Sequence, residues 1–287
     1  MIIPEEAKTK PQKPPLHVAM GYPLAPDLPN GLLPDAVLEE KPYPIRAIFV
    51  QATNPVMSDP NTKRVQEMFR NLDLGVAIDI YLSETALECD LVLPETSFYE
   101  RAEIRQGLWL GPEAILCQPA VPPVGESKPL YDIVKGIAAK MGWEEYFNYQ
   151  NWEDWARVSL QNLPMSLEEF KKTGFWAGDV AYGRPAKGLP TPSGKIEVYS
   201  HAFADNGYDA YPVYSEHSVY PDDEYPLQLT HTKLSAHCNL LTQNNPYLME
   251  IQGENWVEIN PLDADKYGLR DGAYVVPESP ADSITIK

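Results

Sequence analysis

The feature that most constrains the fold of this chain is an alternation of short apolar runs with helical patterns between residues 45 and 94. Three apolar runs have the length of strands, and each ends in polar or turn-forming residues: 47–50, 74–80 and 91–93. Between the first two runs, four apolar residues follow the spacing of one buried helical stripe: Val65, Met68, Phe69 and Leu72. Strand, helix, strand, helix, strand at this spacing predicts an α/β domain built on a parallel, Rossmann-like sheet.

Capping and turn residues place the helices of this domain. We expect the first helix to begin at Pro60, with Ser58 or Asp59 as its N-cap. Residues 96–128 read as a long loop with strand fragments. Amphipathic or capping patterns predict four further helices: a short one at 86–89, then 130–141, 152–160 and one that begins at Ser166.

Polar side chains collect at the ends of the predicted strands. The residues that follow the three strands are Asn54, then Asp79 with residues 83–85, then Glu95 with Thr96. Open α/β sheets bind ligands outside the carboxyl ends of their strands, so we expect a ligand-binding edge here. Turn chemistry before the following proline remains an alternative role for Asn54, and helix N-capping remains one for Glu84.

The flanking segments have a different character. Residues 1–45 carry ten of the 29 prolines, and proline fixes φ and lacks an N–H, so we predict an extended surface arm. The α/β domain covers residues 46–180, and residues 181–225 read as a linker with a strand-like run at 195–199. From residue 226 to 287 the pattern predicts an incomplete β-barrel, with strands at 227–230, 256–259 and 273–276 and a helix at 261–267.

Composition and charge exclude several classes of partner. The chain has 23 Lys and Arg against 41 Asp and Glu, so its net charge of −18 provides no footprint for a phosphate backbone. We therefore expect no nucleic-acid binding, no attraction to an anionic membrane surface and no direct membrane insertion. Residues 1–6 lack the basic segment of a signal peptide, so none is expected. The three cysteines, Cys89, Cys117 and Cys238, form no CxxC spacing, so the sequence shows no sign of an iron–sulfur or zinc site.

The sequence carries no self-sufficient catalytic motif. Its five histidines stand in no HExxH frame, and neither GxSxG nor a P-loop is present. Residues 230–245 concentrate uncharged hydrogen-bonding side chains around His231 and His237. Both a polar loop and a site that reads the edges of a polar heterocycle account for this composition.

Three segments of the first domain resemble one connected pattern. They are TNP at residues 53–55, DIYLSETA at 79–86 and CDLVLP at 89–94. In this order and spacing they resemble the third domain of the dimethyl sulfoxide reductase family of molybdenum enzymes. Residues 191–197 and the stretch from 225 to 272 resemble the same family. The resemblance covers nearly everything from residue 41 onward, and five weak motifs in order make it specific.

This resemblance implies a role in holding bis(molybdopterin guanine dinucleotide), the molybdenum cofactor of the family. There the third domain and a final double-psi β-barrel each hold one arm. Asn54 and Asp79 would bind guanosine, with the Asp79 carboxylate accepting from guanine N–H groups or ribose hydroxyls. Residues 83–85, which are Ser83, Glu84 and Thr85, would open a helix whose N–H groups suit a phosphate or ribose. The pterin and its phosphate would be lined by Thr230, Thr232, His237, Thr242 and Asn244.

Departures from the family pattern limit what the chain is expected to do. The family's iron–sulfur cysteines, first pterin domain and molybdenum ligand have no counterpart, so no residue is assigned to catalysis or to the metal. The resemblance implies the C-terminal part of a catalytic subunit, inactive alone, whose N-terminal half carries a 4Fe-4S cluster. It also implies an iron–sulfur electron-transfer subunit, a membrane anchor subunit and a location on the periplasmic or another extracytoplasmic face.

Residues 42–45, 191–195 and 244–248 look most like the polysulfide and thiosulfate reductase branch. The implied reaction is the two-electron reduction of an inorganic sulfur compound, with arsenate and tetrathionate reductases as close neighbours. A non-catalytic module that keeps the fold is one alternative, although Asp79 and residues 230–245 argue against it. An NAD-type dehydrogenase is another, but GxGxxG is missing after the first strand.

Overall fold

The computed structural model describes residues 13–106, 113–179, 186, 188–216 and 221–287. The chain divides into two compact units, one up to Pro212 and one from Val213, and each is described by itself. The division falls within the segment that the sequence presents as a linker. None of the helices in these ranges is long and apolar enough to cross a membrane.

The proline-rich segment contains two short helices. Helix α1 spans Leu16–Ala19 and helix α2 spans Leu33–Leu38, and Ala36 and Val37 of α2 are buried. The prediction of an extended arm is therefore wrong for these residues. Pro34 lies in the first turn of α2, where its missing N–H would have had no partner within the helix, so this proline favours a helix start.

The three predicted strands form the predicted parallel sheet. Strand β1 (Ala47–Gln51) pairs with β2 (Leu74–Asp79), and β2 pairs with β3 (Leu91–Pro94). Residues 76–78 of the central strand are all buried, although successive side chains point to opposite faces, so both faces of β2 are covered. Because all three strands run in the same direction, their carboxyl ends lie at one edge of the sheet.

Short helices connect these strands. They are α3 (Pro55–Ser58), α4 (Thr62–Arg70) and α5 (Glu84–Leu87). The predicted apolar stripe on α4 is confirmed, because it lies in the core that joins the helix to β1 and α2. The buried members of that core are Val37, Val50, Val56, Val65, Met68 and Phe69, and Leu72 packs against them.

The N-cap of α4 differs from the expected one. Asn61 precedes the helix, and its side-chain oxygen accepts a hydrogen bond from the Arg64 N–H at 3.3 Å. Asn61 has a left-handed backbone with φ of 61°, a conformation that asparagine tolerates better than most residues. Ser58 and Asp59, the predicted caps, lie instead at the end of α3.

Strand fragments within the long loop form a second, antiparallel sheet. Strand β4 (Glu103–Gln106) pairs with β5 (Glu113–Cys117), and β5 pairs with β6 (Phe175–Ala177). The sequence pattern did not predict β6. A strand of three residues is too short to show a period of two, and it forms here because β5 offers it a partner.

Helices α6 (Leu130–Lys140), α7 (Trp152–Ser159) and α8 (Leu167–Thr173) confirm three sequence predictions. The capping box of Ser166 and Glu169 before α8 is present. α6 places Ile133 against Val76 and Ile78 of the parallel sheet. The antiparallel sheet packs against α7 and α8 through a core of Ala114, Leu116, Ala156, Leu160, Leu167 and Phe170.

The expected linker and barrel differ most from the prediction. The linker contains helix α9 (His201–Asp205), and residues 195–199 form no strand. The second unit contains α10 (Pro246–Ile251) and α11 (Pro261–Lys266), of which α11 was predicted. Its described residues form no continuous strand at 227–230, 256–259 or 273–276.

The described part of the second unit contains only isolated β pairs, one of them at an expected strand. They join Val275 with Ile286 and Glu278 with Ser283. A strand needs a ladder of backbone hydrogen bonds to a neighbour, which apolar alternation in the sequence does not supply. The predicted barrel strands are therefore not observed, and a double-psi barrel stays a prediction.

Candidate functional site

The Asn54 side chain joins the loop after β1 to the start of α5. Its Nδ2 donates a hydrogen bond to Glu84 Oε2 at 2.8 Å. Its Oδ1 accepts from the Thr85 backbone N–H at 3.1 Å and from Thr85 Oγ1 at 2.7 Å. These three partners fix the orientation of the amide, since only the oxygen can accept from the Thr85 N–H. We call these residues, Asn54, Glu84 and Thr85, the Asn54 cluster.

Thr85 extends the cluster into the protein interior. Its side chain is fully buried, at 0% exposure, and its Oγ1 accepts from the Val56 backbone N–H at 3.0 Å. The hydroxyl thus donates to Asn54 and accepts from Val56. A buried threonine with both hydrogen-bonding roles filled holds the two chain segments together at a fixed distance.

The first turn of α5 also has its own polar groups satisfied. Ser83 is the N-cap, and its Oγ accepts from the Ala86 N–H at 3.3 Å. The hydrogen bond from Asn54 lowers the pKa of Glu84, and a bond from its own backbone N–H lowers it further. The N–H groups of Glu84, Thr85 and Ala86, at the predicted phosphate or ribose site, are therefore engaged within the protein. The N-cap alternative for Glu84 is also excluded, because Ser83 occupies that position.

Asp79 ends the central strand and keeps half of its carboxylate available. Oδ1 accepts from the backbone N–H groups of Ile80, at 2.7 Å, and Tyr81, at 3.3 Å. Among the residues that the structure describes, Oδ2 has no hydrogen-bond partner. Asp79 is half-buried and lies at the carboxyl edge of the sheet. This geometry presents a charged acceptor to a ligand at the position where open α/β sheets bind one.

A buried ion pair lies at the same edge, and Glu95 is the only one of its members that the sequence predicts. Glu95, 5% exposed, accepts from Gln51 Nε2 at 2.8 Å and pairs with the Arg101 guanidinium at 3.2 Å. Gln51 and Arg101 were not predicted as members of this edge. Gln51 is the last residue of β1, so its place at a strand end could have signalled its role, whereas Arg101 lies in a loop whose path the sequence does not fix.

Thr96, the residue after Glu95, is also fully buried. Its backbone carbonyl accepts a hydrogen bond from Arg101, and its N–H donates to the Lys128 carbonyl at 3.2 Å. Its hydroxyl oxygen is buried without a hydrogen-bond partner among the described residues. Thr96 therefore belongs to the interior beneath this edge, and no ligand can reach its hydroxyl without displacing its neighbours.

His237 and Thr242 lie together in the second unit. The His237 Nε2 lies 2.8 Å from the Gln252 carbonyl oxygen, which can only accept, so this nitrogen carries the proton. In the neutral ring, Nδ1 then accepts from Thr242 Oγ1 at 3.2 Å, and the same oxygen accepts from the Cys238 N–H at 2.9 Å. Both ring nitrogens thus stabilise the loop, which leaves neither of them free for a pterin or phosphate.

The other predicted residues of the second unit face solvent. Thr230, Thr232 and Asn244 are exposed, and their side chains form no hydrogen bond to another described residue. Asn245 rather than its neighbour caps α10, by accepting from the Tyr247 N–H at 3.0 Å. The structure thus brings His237 and Thr242 together, but it does not gather the five predicted pterin residues into one cluster.

No cluster of three or more His, Cys, Asp or Glu side chains in the described ranges is arranged to hold a metal ion. What the first unit offers chemically is therefore hydrogen-bond acceptance by Asp79, at an edge that also holds the Asn54 cluster and the Glu95–Arg101 ion pair.

Comparisons with known proteins give this geometry a family. A family model described as molybdopterin oxidoreductase matches residues 28–140. The acetylene hydratase of Syntrophotalea acetylenica is 34% identical over 184 residues, which cover 63% of this chain and 25% of that protein. The thiosulfate reductase molybdopterin-containing subunit of Salmonella typhimurium is 29% identical over 270 residues, covering 83% of this chain and 35% of the relative.

A solved structure shows the same likeness in three dimensions. Acetylene hydratase from Pelobacter acetylenicus matches with a TM-score of 0.79 at 28% identity, covering 91% of this chain and 37% of that one. This chain spans 25% and 35% of the lengths of the two curated relatives. The family-model match includes Asn54, Asp79 and Glu84, so the carboxyl edge lies inside it. The chain thus carries a molybdopterin oxidoreductase domain, matched over residues 28–140, and is similar to molybdopterin enzymes over most of its length.

Proposed function

We propose that this chain binds the guanosine end of a molybdopterin guanine dinucleotide at the carboxyl edge of its parallel sheet. The single observation that carries the proposal is Asp79, whose Oδ2 is free among the described residues at the end of the central strand. A carboxylate accepts two N–H groups of guanine or two ribose hydroxyls, and such charge-assisted bonds are the strong ones.

The charge of this edge favours the nucleoside over the phosphates. Asp79 and Glu84 are both acidic, whereas the Arg101 charge is consumed by Glu95 and Glu103. The N–H groups of α5 are engaged by Asn54 and Ser83. An acidic edge whose helix N–H groups are engaged suits a ligand that donates hydrogen bonds, which guanine and ribose do and a phosphate does not.

For the second unit we propose the other arm of a bis(molybdopterin guanine dinucleotide), held by a double-psi barrel. Two contacts support such a barrel. The Val257 N–H donates to the Lys287 carbonyl at 2.8 Å, and Val275 and Ile286 exchange hydrogen bonds at 2.7 and 3.0 Å. Exposed Thr230, Thr232 and Asn244 are available to the pterin, while His237 and Thr242 shape the loop that presents them.

The whole protein is proposed to be the catalytic subunit of a molybdenum oxidoreductase. The bound molybdenum centre supplies two-electron redox chemistry, and the residues of this chain bind and orient the cofactor. We propose that a further N-terminal part supplies the metal ligand and a 4Fe-4S cluster. An iron–sulfur electron-transfer subunit and a membrane anchor subunit on the extracytoplasmic face complete the proposed assembly.

The proposed substrate is an inorganic sulfur compound, thiosulfate or polysulfide. Similarity to a thiosulfate reductase subunit over 83% of this chain supports it. Acetylene is the second candidate, because the acetylene hydratases match at 34% identity and at a TM-score of 0.79. Arsenate reduction, tetrathionate reduction and a module without catalysis are further alternatives.

Binding of GDP to the 287-residue chain tests the role of Asp79. We expect Asp79→Asn to weaken binding by about tenfold or more, since a charge-assisted hydrogen bond contributes about 1.5–3 kcal/mol. Asp73→Asn is the matched control, because exposed Asp73 precedes the same strand at its amino end and is expected to change affinity less than about twofold. Equal affinity of wild type and Asp79→Asn in calorimetry would refute the assignment.

The enzymatic part of the proposal is tested on the full-length protein, purified without oxygen. We expect stoichiometric molybdenum by metal analysis and the fluorescence of oxidised pterin. Thiosulfate-dependent oxidation of a reduced viologen dye, without acetaldehyde formation from acetylene, would support the sulfur-compound assignment. Stoichiometric absence of both metal and pterin contradicts the enzyme reading altogether.

A further inference from the structure

We infer that Asn54 and Thr85 are positioning residues, which fix the loop that follows Asp79 and do not contact the nucleoside themselves. The inference rests on the proposed function, because it assigns Asn54 a different task within the same site. It concerns the loop at residues 80–83, which connects Asp79 at the end of β2 with Glu84 at the start of α5.

The acceptor oxygen of Asn54 and one N–H of its amide group are engaged within the protein. Nδ2 donates to Glu84 at 2.8 Å, and Oδ1 accepts twice from Thr85, at 3.1 and 2.7 Å. An oxygen with two donors has filled both of its lone pairs. A ligand that donated a hydrogen bond to Oδ1 would displace one of the two Thr85 donors, and a buried donor without an acceptor costs free energy.

The Asn54 cluster holds one end of the loop while Asp79 holds the other. Asp79 Oδ1 accepts from the N–H groups of Ile80 and Tyr81, which sets the direction in which the chain leaves β2. Thr85 then ties the loop's far end to Asn54 and to the Val56 N–H. Both ends of a four-residue loop are thus attached to the body of the α/β domain.

The loop presents three large apolar side chains to solvent. Ile80, Tyr81 and Leu82 are 53%, 53% and 66% exposed, even though both ends of the loop are attached to the domain. They lie directly beside the Asp79 carboxylate in the chain. A flat base whose edge donates to Asp79 needs an apolar surface for its face, and these side chains provide one. Asn54 therefore acts on the ligand through the position of this loop.

Reversing the Asn54–Glu84 hydrogen bond tests this role. N54D keeps the acceptor for Thr85 but places a second carboxylate at the position 2.8 Å from Glu84, so we expect GDP binding at pH 7.5 to weaken about tenfold. E84Q can still accept from Asn54 and is expected to stay within about threefold of wild type. In N54D/E84Q the amide at position 84 donates to the carboxylate at position 54, and we expect the affinity for GDP to return to within about threefold of wild type.

A pH profile separates positioning from a general loss of stability. The affinity of N54D is expected to rise towards pH 4.5, where the two carboxylates share a proton, whereas E84Q lacks this rise. Thr85 provides a second pair. T85S keeps the hydroxyl and is expected to stay within about threefold, while T85V keeps the shape, loses the hydroxyl and is expected to weaken GDP binding about tenfold. Thermal unfolding of each variant confirms that it is folded at the assay temperature.

The outcomes separate the inference from the proposed function. If the wild-type chain binds no GDP, the proposed function fails and the inference fails with it. If wild type binds but N54D/E84Q stays as weak as N54D, Asn54 contacts the ligand directly and only the inference is overturned. If the double variant does not fold, the Thr85 pair decides, and T85V binding GDP as tightly as wild type overturns the inference.

Discussion

Replacing Arg101 by methionine is expected to destabilise the first unit by about 3 kcal/mol, because it leaves the buried Glu95 carboxylate without its cation. The side chains of Glu95 and Arg101 are 4% and 22% exposed, and Glu95 Oε1 lies 3.2 Å from Arg101 Nη1. At an effective dielectric constant of about 20, two unit charges at this distance attract by roughly 5 kcal/mol. The remaining hydrogen bond from Gln51 and the partial exposure of Arg101 reduce the net loss to the lower figure.

Urea unfolding followed by tryptophan fluorescence measures this loss, and the corresponding fall in melting temperature is about 6–12 °C for a unit of this size. Arg105→Met is the matched control, since Arg105 pairs with Glu103 while 55% exposed and is expected to cost less than about 1 kcal/mol. The double variant E95Q/R101M should recover most of the stability, because no buried charge remains. A loss below about 1 kcal/mol for R101M, equal to that of the control, would refute the reasoning.

Two further predictions follow from shifted pKa values. The hydrogen bond from Asn54 lowers the pKa of Glu84 from its usual 4.5, so its stabilisation of the fold is present above that pH and is lost as the pH falls through the lower folded value. The difference in unfolding free energy between wild type and N54A should therefore shrink below pH 4.5, by less than about 1 kcal/mol because Glu84 is exposed. A difference that does not change with pH would contradict this prediction. Burial raises the pKa of Cys89, with Asp90 and Glu88 adding to it, whereas Cys238 is exposed. Iodoacetamide at pH 8 should alkylate Cys89 about tenfold more slowly than Cys238 by mass spectrometry, and equal rates would contradict the burial.

The parallel sheet could be predicted from sequence because its signals are local. Each strand is a run of apolar residues, and the α4 stripe has the helical period, so neither depends on the rest of the chain. The extended arm was wrong at α2 for a related reason. Proline content suggests an extended chain, but Pro34 lies in the one helical turn that accepts proline.

The second unit was predictable only in part. α11 was predicted from Pro261 and the following residues, and it is present. The barrel strands were predicted from apolar alternation, but continuous ladders are not formed by the described residues. Alternation records which face of a strand is buried, whereas the existence of a strand depends on a partner that lies elsewhere in the chain.

The sequence by itself determined the order of strands and helices in the parallel sheet, the family resemblance and the edge at which polar residues gather. Only the tertiary structure decided which of those residues remain available. Asn54 and Thr85 are 31 positions apart, and their two hydrogen bonds fill the acceptor oxygen of Asn54, while Asp79 keeps one oxygen. Gln51 and Glu95, 44 positions apart, pair in the same way. Local patterns carry no information about such partners, because long-range hydrogen bonds depend on the path that the whole chain takes.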